Sequence, residues 1–193
     1  MNADEIRARL GLLKPEPRLD FKFEGLTDLA QSAVLIPLRD GPHGPELVLT
    51  KRSEALRKHA GQISFPGGRR DPEDVDLAAT ALREAWEELA IQPEDVRLYG
   101  ALLRLPTVTG FNVTAFVGEL PHPYTLTPNP AEVAHTIIAP IEALLDPAIY
   151  TRERHEWQGK VFDMHAFDFE GHNIWGATGF MIYEFLKFLE MMK

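Results

Sequence analysis

The chain of 193 residues contains no cysteine, which excludes disulfides, thiolate nucleophiles and cysteine-based zinc or iron–sulfur sites. Any metal must be held by oxygen or imidazole. No apolar run approaches the ~18 residues of a membrane span, and the opening Met1-Asn-Ala-Asp-Glu lacks the basic-then-apolar layout of a secretory signal. The expectation is a soluble, cytoplasmic protein with no membrane partner. Positive charge is also scarce: 20 Lys and Arg against 29 Asp and Glu leave a net charge of −9. That balance argues against a nucleic-acid partner, because duplex binders use a basic surface to displace counterions from phosphates. It leaves room for a small phosphorylated substrate, since a few local cations and a divalent metal reverse the field inside one cleft.

What the chain does have is an ordinary globular composition, 45% apolar and 25% charged, in a length that suits one domain spanning 1–193. Ile6, Leu10 and Leu13 recur at helical spacing before Pro15 and Pro17, so residues 1–30 read as a short helix and an extension. Ser32 to Leu38 and Glu46 to Lys51 read as strands around a Gly- and Pro-rich turn at 39–45. A helix over Val75 to Ala90 follows, then strands at Val96 to Leu105 and Phe111 to Leu120 and a Pro-rich loop at 121–130. Val133 to Ile138 is a strand, Ile141 to Leu145 one helical turn, and Lys160 to Phe169 alternates phenylalanine with polar residues. His172 to Gly179 reads as a loop leading to a last helix at 180–192. Interleaved strands and helices predict an α/β sandwich with a mixed sheet. The aromatic and methionine-rich last helix leaves two uses open, completing the core or covering a homodimer interface.

Chemistry concentrates between Gly67 and Ile91. Inside the expected helix, Glu84, Glu87 and Glu88 fall within an arc of about 100°, offset from an apolar stripe of Ala78, Leu82 and Leu89. Like charges at that spacing repel, and a divalent cation would relieve them, because Mg²⁺ and Mn²⁺ favour carboxylate and water oxygens. Neutralisation by neighbouring Lys or Arg is the alternative the acids alone leave open. Ahead of the helix stands Phe65-Pro66-Gly67-Gly68. Its glycines permit positive φ and a close backbone approach, aiming amides or carbonyls at a metal or phosphate. A plain tight turn is the alternative there.

Taken together, Gly68, Asp74, Arg83, Glu84, Glu87, Glu88 and Ile91 resemble the Nudix box, G-x5-E-x7-R-E-U-x-E-E-x-G-U with U aliphatic. Three departures stand out. Asp74 replaces the usual Glu, eight residues rather than seven separate it from Arg83, and Ala90 replaces the late glycine. Ala90 predicts a helix end that needs no left-handed cap. Upstream, Leu49 to Gly68 is similar to the additional signature of the coenzyme A pyrophosphatase branch, which is also known for the longer box, and Ile174 to Gly179 is similar to that branch as well.

The resemblance implies the Nudix α/β/α sandwich, a Mg²⁺ or Mn²⁺ cofactor, and cleavage of coenzyme A to 3′-phospho-AMP and 4′-phosphopantetheine. It implies Glu84, Glu87 and Glu88 as metal ligands with the backbone carbonyl of Gly67 or Gly68; Arg83 reads as a brace on a box carboxylate such as Asp74, with contact to substrate as its alternative. Lys51, Arg52, Arg57, His59, Gly67, Gly68 and Arg69 form the expected substrate-binding set, with Lys58 and Arg70 in the same basic cluster. His59 has packing or hydrogen bonding as its alternative. Glu132, before a late strand, is the candidate further acid, as metal ligand or proton acceptor. Tyr124, Trp157 and Trp175 are the aromatics that could stack adenine, with packing as the default. Competing readings are a Nudix hydrolase of ADP-ribose or dinucleotides and a non-catalytic nucleotide-binding module, which would be expected to lose the box acids.

Overall fold

Strands buried on both faces carry continuous apolar runs, and this is how the central sheet is written into the sequence. In the computed structural model, which describes residues 1–22, 25–42, 44–54, 61–157 and 159–192 and only the backbone of Trp157 and Lys160, β2 (Ala30–Gly41) and β3 (Gly44–Arg52) form a hairpin. Along both strands alternate residues enter opposite layers. Ala33, Leu35 and Val48 pack on one side, and Ile36, Leu38, Leu47 and Leu49 on the other. The expected turn at 39–45 is shorter than the Gly and Pro content suggests: pairing continues through Arg39↔Glu46 to Gly41↔Gly44, with an Arg39–Glu46 ion pair of 3.0 Å across the hairpin.

The sheet is mixed. β1 (Leu19–Asp20) runs parallel to β6 (Arg97–Pro106), β6 antiparallel to β7 (Phe111–Glu119), and β7 parallel to β2. β3 pairs antiparallel with β4 (Ile63–Ser64) and β8 (Val133–Pro140), and β5 (Gly67–Arg69) pairs with β2. Helix α2 (Leu77–Leu89) covers one face through Ala81, Ala85 and Leu89. The other face carries the larger core, built with α1 (Ala3–Leu10), α3 (Ile141–Leu144) and α4 (Gly176–Phe188). The α/β/α sandwich with a mixed sheet is thus the fold the chain adopts. No described helix is long and apolar enough to cross a membrane.

Two parts of the second half differ from expectation. Tyr150–Trp157 forms β9, which pairs with β10 (Lys160–Phe169), and His172–Ile174 forms β11 on the other edge of β10. The hydrophobic pattern hides β9 because residues 151–156 are exposed, so its strand comes from pairing rather than from an apolar face. The last helix starts at Gly176 and ends at Phe188, rather than spanning 180–192. Its glycine-rich first turn has low intrinsic propensity, but a side chain at Gly179 would run into the His165 carbonyl oxygen, so the helix can lie against β10 only with glycine there. Met181, Ile182, Phe185 and Leu186 are buried, and α4 therefore completes the core.

The end of α2 also corrects the sequence. Ala90 is itself the left-handed cap, at φ 56° and ψ 29°, with its N–H donating to the Trp86 carbonyl at 2.8 Å. An L-residue with a Cβ is strained in that region by about 1–2 kcal/mol, whereas glycine is not. Part of that gain is returned through the larger unfolded-state entropy of glycine. Ala90→Gly is expected to stabilise the fold by about 0.5–1 kcal/mol, raising Tm by roughly 1–4 °C in a chain of this size. Thermal unfolding of the purified variant checks this, and a lowered Tm would contradict it.

Candidate active site

The box acids are set in place by a brace at the start of α2 and a tie at its end. Asp76 caps the helix, its Oδ1 accepting from Ala79 N–H at 2.8 Å. Asp74 is buried and accepts from Asp71 N–H and the Thr80 hydroxyl at 2.9 Å each. Arg83 grips it with a fork, Nε to Oδ1 at 3.0 Å and Nη2 to Oδ2 at 3.1 Å, and reaches the Arg69 carbonyl at 3.1 Å. The Arg83 guanidinium holds the Asp74 carboxyl down at about 2. Asp74 thus serves the brace despite the extra residue before Arg83, from a position two residues ahead of the Asp76 cap of α2.

Arg83 also contacts Glu84 and Glu87, each at 3.0 Å from Nη1. The three acids differ in depth: the side chain of Glu87 is 39% exposed, that of Glu84 14%, and Glu88 as a residue 3%. Glu88 Oε1 accepts from Gly67 N–H at 3.3 Å, and the Thr50 hydroxyl lies 3.3 Å from both Glu88 Oε2 and the Ser64 carbonyl. Burial pushes the Glu88 carboxyl up to about 7, with repulsion from Glu84 and Glu132 adding to it and the Gly67 amide and Arg52 pulling against it. Burial also raises Glu84, opposed by Arg83.

Glu132 reaches this group through the Pro-rich loop. Asn129 N–H donates to the Glu88 carbonyl at 2.8 Å, and the Asn129 carbonyl accepts from the Glu132 and Val133 amides at 3.0 and 2.8 Å. Ser53 N–H then donates to the Glu132 carbonyl at 2.8 Å. This turn links the C-terminal end of α2 to β3, and it places the Glu132 charge where it raises both Glu84 and Glu88.

Gly67 and Gly68 act differently from the sequence expectation. Neither has positive φ, and together they form β5 rather than a tight turn. What each needs is the absence of a side chain: a Cβ on Gly67 would collide with the Ala33 carbonyl oxygen, and one on Gly68 with the Glu84 carboxylate. The Gly68 carbonyl accepts from Ser32 Oγ at 2.6 Å, and Gly68 is paired with Ala33 of β2 across the sheet.

Among the described residues, the carboxylates of Asp74, Glu84, Glu87, Glu88 and Glu132 outnumber the guanidiniums Arg83, Arg70 and Arg52 beside them, and Arg83 is committed to Asp74 and Arg70 to its carbonyl. An oxygen-rich set with this surplus of negative charge suits a hard divalent cation. Among the described residues no three acids are already drawn to metal-ligand spacing, as expected of mutually repelling carboxylates partly held by Arg83.

Beside the acids lies a cleft of about 470 Å³. One wall carries Arg52, Gln62, Ser64 and Gly67 to Arg69, another Thr107 to Thr109, and a third Trp175 to Thr178. The Thr178 hydroxyl donates to the Ile63 carbonyl at 3.1 Å, joining the third wall to the first. Arg52 Nε is buried with no hydrogen-bond partner among the described residues. Lys51 is not part of the lining, and Arg70 is spent on the Asp74 carbonyl at 2.9 Å. Arg57, Lys58 and His59 lie outside the described residues, as does the side chain of Trp157. Tyr124 is away from the cleft, bonding Asp95 at 3.0 Å and Gln92 N–H at 2.9 Å. Ser32 and the Thr107 to Thr109 turn belong to no motif of the sequence, and Thr50 lies inside the upstream signature without a role of its own there. Ser32 and Thr50 carried a usable sign, being polar residues at the ends of apolar strand runs.

Comparison with known proteins agrees with this geometry. The model of the NUDIX domain family matches residues 29–172. A Yersinia enterocolitica protein described as an uncharacterized Nudix hydrolase NudL is 43% identical over 179 residues, 92% of this chain and 88% of its own. One of the same description from Photorhabdus laumondii is 40% identical over 153 residues, 79% of this chain and 81% of its own. Among solved structures, a Nudix hydrolase from Alicyclobacillus acidocaldarius is similar with TM-score 0.51 and 21% identity, covering 63% of this chain and 83% of that one. The NUDIX domain of Shewanella oneidensis NrtR, complexed with ADP ribose, has TM-score 0.50 and 15% identity over 75% and 87% of the two chains; at these identities the likeness is one of fold. With the box acids braced on α2 beside a cleft, and with that family match, the chain belongs to the Nudix hydrolases.

Proposed function

We propose that the chain hydrolyses the diphosphate of coenzyme A or its derivatives, giving 3′-phospho-AMP and 4′-phosphopantetheine, or the acylated arm from acyl derivatives. The observation that carries this reading is convergence. Arg52, Gln62 to Phe65 and Gly67 to Gly68 belong to the upstream signature, Trp175 to Thr178 to the later motif, and both line the one cleft beside the acids.

Mg²⁺ or Mn²⁺, held by Glu84, Glu87, Glu88 and the Gly68 carbonyl, would neutralise diphosphate charge and make water a better nucleophile near neutral pH. The remaining work falls to side chains. Arg52 and Arg69 hold phosphate oxygens at the cleft wall. Glu132, with no side-chain hydrogen bond among the described residues and a charge felt by Glu84 and Glu88, takes the proton of the attacking water. Water oxygen bonds to one phosphorus, the bridging P–O bond breaks with its electrons going to the departing phosphate, and no covalent enzyme intermediate forms.

Incubation with coenzyme A, ADP-ribose and diadenosine compounds, each with and without Mg²⁺ or Mn²⁺, tests this. Coenzyme A cleavage that depends on the added metal is expected, with a kcat/KM at least about tenfold above the other substrates. That ratio asks for about 1.4 kcal/mol of transition-state discrimination. Rapid cleavage of another diphosphate beside inert coenzyme A would sink the reading.

A further inference from the structure

We propose that Trp175 is the nucleobase platform of the cleft, the surface on which the purine of a nucleoside diphosphate substrate stacks. The proposal rests on the diphosphatase reading above and adds where the base lies. Of the exposed large apolar side chains among the described residues, only Trp175, at 50%, and Val108, at 63%, line this cleft. An indole left half in water forgoes burial that core packing would supply, so its place on a cleft wall calls for a ligand with an apolar face.

The platform is fixed on both sides. Ile174 is fully buried, and Gly176, at φ 66°, turns the chain into α4. Two residues on, Thr178 is tied to Ile63. The backbone of Trp175 is extended at φ −136°, so burial of Ile174 sends the indole the other way. Val108 sits on an equally fixed turn, where Thr107 N–H donates to the Phe111 carbonyl at 2.7 Å, Gly110 N–H to the Thr107 carbonyl at 3.1 Å, and the Thr107 and Thr109 hydroxyls lie 2.9 Å apart. The cations Arg52 and Arg69 line the same cleft. A nucleotide, with an anionic end and an aromatic end, brings a partner for both the cations and the indole; the flexible aliphatic arm of coenzyme A offers no π-face for the indole.

The test is calorimetric titration of the whole chain, with Mg²⁺ present, using AMP and ribose 5-phosphate, which differ only by the base. Wild type, Trp175→Ala and Trp175→Phe are compared, each first checked by its melting curve. Loss of one stacked base predicts a Kd for AMP raised on the order of ten- to a hundredfold in the alanine variant, with ribose 5-phosphate unchanged and phenylalanine retaining most of the AMP affinity. Equal weakening of both ligands, an unchanged AMP affinity, or a wild type that does not bind AMP would each overturn the assignment. Coenzyme A turnover is read separately. Base-dependent AMP binding without coenzyme A cleavage leaves the platform standing and removes the substrate reading, and cleavage with AMP affinity indifferent to Trp175 does the reverse.

Discussion

Glu88→Gln is expected to lower kcat for diphosphate hydrolysis by about a thousandfold, the loss of roughly 4 kcal/mol of transition-state stabilisation, while raising the stability of the metal-free protein. The two effects share one cause. The carboxylate is 3% exposed and repelled by Glu84 and Glu132, so its negative charge is useful only when a cation is there to meet it. Glutamine keeps the shape and an oxygen for the Gly67 amide but cannot carry the charge.

The pH dependence follows from the direction of the shift. Folding raises the Glu88 carboxyl from an ordinary carboxylate value to about 7. Below the unfolded value both states are protonated and Glu88 costs nothing; as pH rises toward 7 the unfolded state ionises first and stability falls, reaching its full loss above 7. With chelator present, wild type should lose stability between about pH 5 and 8, and the glutamine variant should lose on the order of 1–3 kcal/mol less over the same window. Added Mg²⁺ should restore wild type at pH 8 and do little for the variant. Melting curves across that pH range, with and without metal, read the stability arm, and single-substrate kinetics the catalytic one. Near-normal turnover by Glu88→Gln would remove Glu88 from the site.

Much of this arrangement is legible in the sequence because it is local. Helical spacing alone puts Glu84, Glu87 and Glu88 on one side of α2, and the continuous apolar run from Ser32 to Leu38 marks a strand buried on both faces. What the sequence does not carry is depth and pairing. Spacing treats the three acids alike, yet Glu88 is buried against β5 while Glu87 is 39% exposed, because the face of α2 toward Gly67 turns inward. Glu132 is visible only as an acid before a strand; its place beside Glu88 depends on the Asn129 turn capping α2. Strand β9 escapes notice because its exposed, charged residues encode no face, and Ala90 misleads because a left-handed cap usually announces itself as glycine.

The two adjacent glycines of β5 should separate folding from catalysis. Gly67→Ala is expected to destabilise the protein by about 2–4 kcal/mol, lowering Tm by roughly 5–15 °C, since the new methyl meets the Ala33 carbonyl oxygen and the Val34 backbone inside the sheet, which cannot move aside cheaply. Gly68→Ala should change Tm little, because the atoms its methyl meets first are those of the Glu84 carboxylate, which can rotate away. That rotation has a functional cost: displacing one of the proposed metal ligands by about 1 Å is expected to lower kcat by about a hundredfold. Circular dichroism melts and kinetics on the two variants decide the matter. A stable Gly67→Ala would mean that β5 is not held against β2 as described, and a fully active Gly68→Ala would mean that Glu84 does not need the space beside Gly68 to act.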